Sequence, residues 1–231
     1  MLKVFCARSM HVAVTILARR FAEASGAAPD ILFEPMGALE ARLAAGETAD
    51  VLILAVPAID ALLASGALVS DSRAAIARAP IGIAVREGAP VPDISTADAF
   101  KNALTAARAI ALSDPAVGGS AGIYLRELLG RIGLAEIVAA KTVAQKSGVA
   151  AADAVGRGEA DLAMTFIPEL LQGKGICVLG PLSPPYVHVT TYAAGVSARS
   201  GLPDAASAFI AVLTAPDARS VWVAAGFDVG W

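Results

Sequence analysis

Lys3-Val4-Phe5-Cys6-Ala7-Arg8-Ser9-Met10 passes from strand-forming apolar residues straight into a cation and a hydroxyl, and its reading decides the fold. Downstream, Ala13, Ile16, Leu17, Phe21 and Ala24 recur at helical spacing, with Gly26 as a left-handed stop. The segment therefore reads as strand, polar turn and helix. Arg8 and Ser9 fall where a strand ends and a helix begins, and there unpaired backbone N–H groups and the helix dipole favour an anion.

The alternation continues along the chain. Ile31 to Glu34 reads as a strand, Gly37 to Ala45 as a short helix stopped by Gly46, and Val51 to Ala55 as a buried parallel strand. A helix with Pro57 in its first turn follows and closes at Gly66. In the middle, Ile81 to Val85 is a strand, Ser95 with Asp98 opens a helix as a capping pair, and Ala109 to Leu112 is a strand leading into Ser113-Asp114-Pro115. A glycine-rich turn from Gly118 to Gly122 precedes a helix through Arg131, Gly148 opens a helix ending near Gly158, and Asp161 to Phe166 returns as a strand. Ile176 to Leu179 and Val187 to Val196 are extended, with helices around Ala205 to Leu213 and Ala218 to Ala225.

This order predicts an α/β fold with mostly parallel sheets covered by helices on both faces. So many elements in 231 residues divide more naturally between two lobes than one. Lobe I is expected over 1–80 plus 195–231 and lobe II over 81–194, joined by hinge strands near 79–85 and 187–196.

Composition excludes several classes. Hydrophobic residues make up 56% of the chain in short interrupted runs, none reaching the roughly 20 apolar residues that span a bilayer. The net charge of −3 without a basic block lacks the electrostatic footprint of a nucleic-acid binder. Cys6 and Cys177 lie in apolar runs and read as buried reduced thiols, and with only His11 and His188 they give no zinc-ligand spacing. No cofactor or metal is expected. No secretion signal precedes the first strand, which predicts a cytoplasmic location as written and a periplasmic one if the start lies upstream.

Ligands of open α/β sheets sit beyond the carboxyl ends of the strands. Four turns there carry suitable residues: Arg8-Ser9-Met10, Pro35-Met36-Gly37-Ala38, Gly118 to Gly122, and Lys146-Ser147-Gly148. One helix terminus contributes about 0.3–1 kcal/mol toward an anion, whereas a micromolar site needs about 8 kcal/mol. Four termini fall short, so charge-assisted bonds from Arg8 must supply much of the rest. His11 reads as a packing or surface residue, Ser9 as a helix cap as well as a ligand contact, and Asp114 as a turn former. No Walker loop, dinucleotide fingerprint, nucleophile elbow or HExxH occurs. Among carboxylates near strand ends, Glu34, Glu40, Asp114 and Glu169 could serve as a general base.

Taken in order, these turns resemble the periplasmic molybdate-binding protein family, solute-binding components of ABC importers with the type II periplasmic-binding-protein fold. The likeness covers essentially the whole chain. It rests on Val4 to Met10, Gly37-Ala38-Leu39, Ala49-Asp50-Val51, Ser113-Asp114-Pro115 with Ala121-Gly122 and Tyr124, Gly158-Glu159-Ala160-Asp161, and Ala225-Gly226-Phe227. The resemblance implies two lobes with a ligand cleft between them, lined by helix N-termini. It carries over Ser9 and the Met36-Gly37 turn in lobe I, and Ala121 and Val149 with the neighbouring amides of Ser120, Gly122 and Ser147 in lobe II.

Two positions depart from the family: Met36 replaces a serine and Phe166 a ligand-facing tyrosine. A hydrogen bond to a charged partner contributes about 1.5–3 kcal/mol, so losing two disfavours molybdate by orders of magnitude. Arg8 suits a carboxylate, and Met36 with Phe166 suits a carbon skeleton. The expected ligand is a small organic acid anion, with an ABC permease as partner if the chain is exported, no nucleic acid and no membrane insertion. Some relatives of this family resemble isomerases that shift a proton along an unsaturated tricarboxylic acid, as aconitate isomerase does, which makes catalysis the alternative. A cytoplasmic ligand sensor on the same architecture is a third.

Overall fold

Apolar runs without alternation become strands covered on both faces: Val51, Leu52, Ile53 and Leu54 are all buried, as are Leu162 to Phe166. The computed structural model describes residues 1–117 and 119–230, so Gly118 of the glycine-rich turn lies outside the described residues. The chain forms two units, Met1–Ala79 with Thr190–Trp231, and Pro80–Val189.

The first unit opens with β1 (Lys3–Ala7), a 3-10 turn (Arg8–Met10), α1 (His11–Ser25), β2 (Asp30–Glu34), α2 (Met36–Ala44), β3 (Val51–Ala55) and α3 (Val56–Ala64). Strand β4 (Ala74–Arg86) then carries the chain into the second unit. That unit contains α4 (Ala97–Ala106), β5 (Ile110–Ser113), α5 (Ser120–Arg131), α6 (Ala135–Ala139), β6 (Thr142–Gln145), α7 (Gly148–Gly156), β7 (Leu162–Phe166), α8 (Ile167–Leu170) and β8 (Ile176–Pro181). Strand β9 (Val189–Val196) leads back to the first unit, which closes with α9 (Pro203–Thr214) and α10 (Ala218–Ala224).

In the first unit β1 pairs in parallel with β2 and β3, and β9 runs antiparallel to β3. Phe5, Leu52 and Leu54 form one core with Leu39 of α2 and Ile59 of α3. Helices α1, α9 and α10 pack on one another. There Phe21 meets Phe209 edge-on at 5.3 Å, and the buried Trp222 donates its indole N–H to the Leu213 carbonyl at 2.9 Å. The second unit has β5 between parallel neighbours β6 and β7, and β4 antiparallel to β7 and β8. One of its core clusters is built mostly of small residues: Ala151, Ala152, Ala154 and Val155 of α7 pack with Ala84, Ala111 and Ala163.

Several expectations require correction. Strand β4 begins at Ala74, seven residues before Ile81, because alternation through Arg78 and the presence of Pro80 disguise its first half. The extended run expected from Val187 begins at Val189. Helix α6 and the short polar strand β6 had no periodic signal. Thr96, not Ser95, caps α4: its extended backbone places Oγ1 to accept from the Ala99 N–H at 3.1 Å. Cys6 is buried, but Cys177 is exposed, because β8 lies outside β4 with one strand neighbour and half-covered faces. In α1 the covered stripe is Ala13, Val14, Leu17, Ala18 and Phe21, and Ile16 points outward. Gly26 does end that helix in the left-handed conformation, at φ 75°.

Candidate functional site

Parallel pairing brings the relevant turns of the first unit together. Ala7 lies opposite Glu34 in register, so the chain leaving β1 as Arg8-Ser9 runs beside the chain leaving β2 as Pro35-Met36-Gly37. His11 packs edge-on against Phe33 with ring centroids 4.7 Å apart, which is a packing role. Ser9 is not a helix cap. The 3-10 turn intervenes before α1, and the buried Ser9 hydroxyl donates to the Tyr192 hydroxyl at 2.9 Å. Tyr192 stands opposite Ala55 at the end of β3, so all three parallel strands deliver residues to one end of this sheet. Either hydroxyl of the pair can be the donor, and when Tyr192 donates, the Ser9 proton is released for an acceptor.

Helix α2 starts without any side-chain cap behind Pro35, and the Ala38 N–H turns back to the Pro35 carbonyl at 3.0 Å. The Met36 and Gly37 amides are the leading N–H groups of this helix, with no carbonyl a turn earlier to accept from them. Arg8 is half-buried and forms no hydrogen bond or ion pair among the described residues. Its neighbour Glu34 is held by Arg42, Nε to Oε2 at 2.7 Å and Nη2 to Oε1 at 2.8 Å. This fork, aided by the charges of Arg42 and Arg8, keeps the Glu34 carboxyl below the usual glutamate range.

The second unit presents three helix starts at one sheet edge. Ser113 and Gln145 end β5 and β6 opposite one another, and β7 ends two residues beyond the Leu112 to Met164 pairing. Helix α5 follows Gly119 without a side-chain cap, presenting the amides of Ser120, Ala121 and Gly122. Ser147 caps α7, accepting from the Ala150 N–H at 3.2 Å, so Gly148 and Val149 present the remaining amides there. Phe166 is buried at the end of β7 and precedes α8.

Close approach sets both helix starts. A Cβ on Gly122 would lie 2.5 Å from the Ser113 carbonyl oxygen, and one on Gly148 would collide with Thr165 Oγ1 and Glu169 Oε2. Behind Gly148 the buried Thr165 hydroxyl donates to the buried Glu169 carboxylate at 2.5 Å. Asp114 forms a turn, accepting from the Ala116 N–H at 2.8 Å, while Glu40 is exposed on α2. No group of three or more His, Cys, Asp or Glu side chains among the described residues is placed to hold a metal ion, and no helix among them is long and apolar enough to cross a membrane.

The structure thus gathers Arg8, Ser9, Met36 and Gly37 within the first unit. Ser120, Ala121, Gly122, Ser147, Val149 and Phe166 fall at the strand ends of the second. Sequence reasoning missed Tyr192, the Arg42 fork and the packing duty of Gly122 and Gly148. Ser9 and Tyr192 are 183 positions apart with no local pattern linking them. The Arg42 to Glu34 spacing of eight residues was readable as a charge pair but carried no orientation.

Comparison with known proteins adds the lineage. The chain is 36% identical over 211 residues to an aconitate isomerase from a Pseudomonas species, covering 87% of this chain and 78% of that one. Its fold is shared with the periplasmic molybdate-binding protein of Azotobacter vinelandii, at 22% identity over the full length of both chains and a TM-score of 0.76. The sulfate-binding protein SubI of Mycobacterium tuberculosis superposes with a TM-score of 0.75 at 19% identity, over 98% of this chain and 85% of that one. Residues 2–228 match the model of one family, and by that match and the isomerase relative the chain belongs to the bacterial extracellular solute-binding protein family.

Proposed function

We propose that this chain binds a small organic polycarboxylate at the strand-end turns, with Arg8 as the ligand's main charged partner. The observation that carries the reading is Arg8 itself: a half-buried guanidinium without a hydrogen bond among the described residues, beside Ser9 and the uncapped start of α2. A carboxylate satisfies two guanidinium N–H groups at once, and hydrogen bonds of this charged kind are about twice as strong as neutral ones. Met36, at the position where the family resemblance implies a serine, favours a carbon skeleton over a bare tetrahedral oxyanion. A second carboxylate of the ligand is assigned to the leading amides of α2. An ABC permease is the partner to which such a binder delivers its ligand.

Isomerisation of an unsaturated tricarboxylate is the second reading, favoured by the 36% identity to an aconitate isomerase. Such a reaction takes a proton from the methylene beside the double bond and returns one to the far alkene carbon, so the double bond moves and no co-reactant is consumed. Its base is sought among Glu34, Asp114 and Glu169, and the Arg42 fork, which holds the Glu34 carboxyl below the usual glutamate range, disfavours Glu34.

A thermal-shift panel of trans-aconitate, citrate, succinate, molybdate and sulfate tests the ligand class. Ligand at one hundred times its Kd adds about 2.7 kcal/mol, which raises Tm by about 5–10 °C for a chain of this size. Stabilisation by the carboxylates alone is expected; stabilisation by molybdate or sulfate alone overturns the reading. Incubation of the bound acids in deuterated water, followed by proton NMR, then separates the two functions, since only an isomerase replaces ligand C–H with C–D.

A further inference from the structure

Four charged side chains stand in a row beside the candidate site: Arg8, Glu34, Arg42 and Glu47. Arg42 engages both Glu34 oxygens with Nε and Nη2, and its third nitrogen reaches Glu47 Oε1 at 2.9 Å. Glu34 is the acid of this row next to Arg8, because their strands pair with Ala7 opposite Glu34. Left alone, that carboxylate would capture the Arg8 guanidinium across the strand pair. Instead its two oxygens are directed at Arg42, and Arg8 is left without a hydrogen bond among the described residues.

We infer that Arg42 is a positioning residue for the ligand: by occupying Glu34 it keeps Arg8 available to a ligand carboxylate. The inference rests on the polycarboxylate reading above and adds a residue outside the ligand-facing turns. The Arg42 and Glu34 side chains are 36% and 20% exposed, and the bidentate fork holds both in one geometry beside Arg8. Its geometry has a further purpose if Arg8 must stay unpaired. Glu47 holds the far side of Arg42, fixing the plane of the fork against rotation.

The experiment is a set of variants, Arg42→Ala, Glu34→Gln with Arg42→Ala, and Arg8→Ala with Arg42→Ala, titrated with trans-aconitate by calorimetry and checked for folding by thermal melts. Arg42→Ala releases Glu34 to pair with Arg8, and trans-aconitate affinity falls about 10- to 100-fold, the size of one charge-assisted bond diverted. Adding Glu34→Gln removes the competitor and restores affinity to near the original value, which no merely structural role of Arg42 would do. Without any ligand, carbon-13 titration of Glu34 reads the capture directly. In Arg42→Ala its carboxyl stays more acidic than in the variant that also lacks Arg8.

Equal Glu34 titration in those two variants overturns the capture whatever the ligand proves to be. Unchanged affinity in Arg42→Ala, or no recovery in the double variant, overturns the positioning role while leaving the ligand class standing. Failure of the unaltered chain to bind trans-aconitate, citrate or succinate removes the polycarboxylate reading and this inference with it, even where the capture itself is seen.

Discussion

The two units place turns of the same kind at their strand ends and hold them by different means. In the first unit the turns are held by side chains, Ser9 on Tyr192 and Glu34 on Arg42. In the second they are held by close packing at glycine, Gly122 against the Ser113 carbonyl and Gly148 against the Thr165 and Glu169 side chains, with Ser147 capping α7. A side-chain arrangement can change its chemistry by one substitution without moving the chain. Close packing at a glycine cannot, because any added carbon displaces the helix. On the proposed reading, ligand preference is therefore set in the first unit, while the second fixes its helix-start amides in space.

The largest effect that tests this contrast is Gly148→Ala. Its new methyl meets two buried polar side chains and disrupts their bond, so we expect a loss of about 3 kcal/mol in unfolding free energy by urea denaturation. A loss below about 0.5 kcal/mol would break the comparison, since that is the range of an unconstrained surface site. Next comes Met36→Ser, which returns a hydroxyl to the start of α2. Molybdate affinity should rise about tenfold with little change in stability, measured by calorimetry, one hydrogen bond to a charged ligand being worth at least that factor. A uniform gain for all anions would instead place preference outside the first unit.

Tyr192→Phe removes the partner of the buried Ser9 hydroxyl and should cost about 1 kcal/mol of stability, with a parallel loss of anion affinity as Ser9 loses its orientation. An affinity unchanged within error would detach Ser9 from the ligand.

The smallest effect concerns pH and separates the units by window. His188 of the second unit stacks on Tyr124 with centroids 3.9 Å apart, and burial, then the Arg131 charge, lower its pKa. Below the ordinary histidine value of about 6.5 the unfolded chain takes up a proton that the folded chain refuses, so stability falls as pH drops from there. Glu34 of the first unit also titrates low, through Arg42, and its contribution is complete above the ordinary glutamate range and is lost only in acid below about 4.3. Denaturation at pH 7 and pH 5.5 should show a decrease of a few tenths of a kcal/mol that His188→Asn abolishes and Glu34→Gln leaves in place.

Much of this architecture was legible in the chain. Continuous apolar runs such as Val51 to Leu54 announced buried parallel strands, and Gly26 announced the end of α1, because burial on both faces and a left-handed cap each demand particular residues. The turns at Arg8-Ser9, Met36-Gly37, Gly118 to Gly122 and Lys146-Ser147-Gly148 could be placed by the same logic, since helix starts after parallel strands expose amides. Less legible were elements with mixed or weak patterns. Thr142 to Gln145 is too short and polar to declare itself, and the first half of β4 carries Arg78 and Pro80. Cys177 sits in an apolar run that only its place outside β4 leaves in solvent.

By itself, then, the sequence determined the α/β alternation, the family likeness and the residue types at each turn, because these follow from local periodicity and from backbone demands that single residues meet. Only the tertiary structure decided what those residues are tied to. It joined Ser9 to Tyr192 and turned Glu34 toward Arg42. It also set Gly122 and Gly148 hard against neighbouring strands. The physical reason is that pairing register and helix approach bring together positions far apart in the chain, and hydrogen bonds and contacts are settled at distances of a few ångströms that no local pattern encodes.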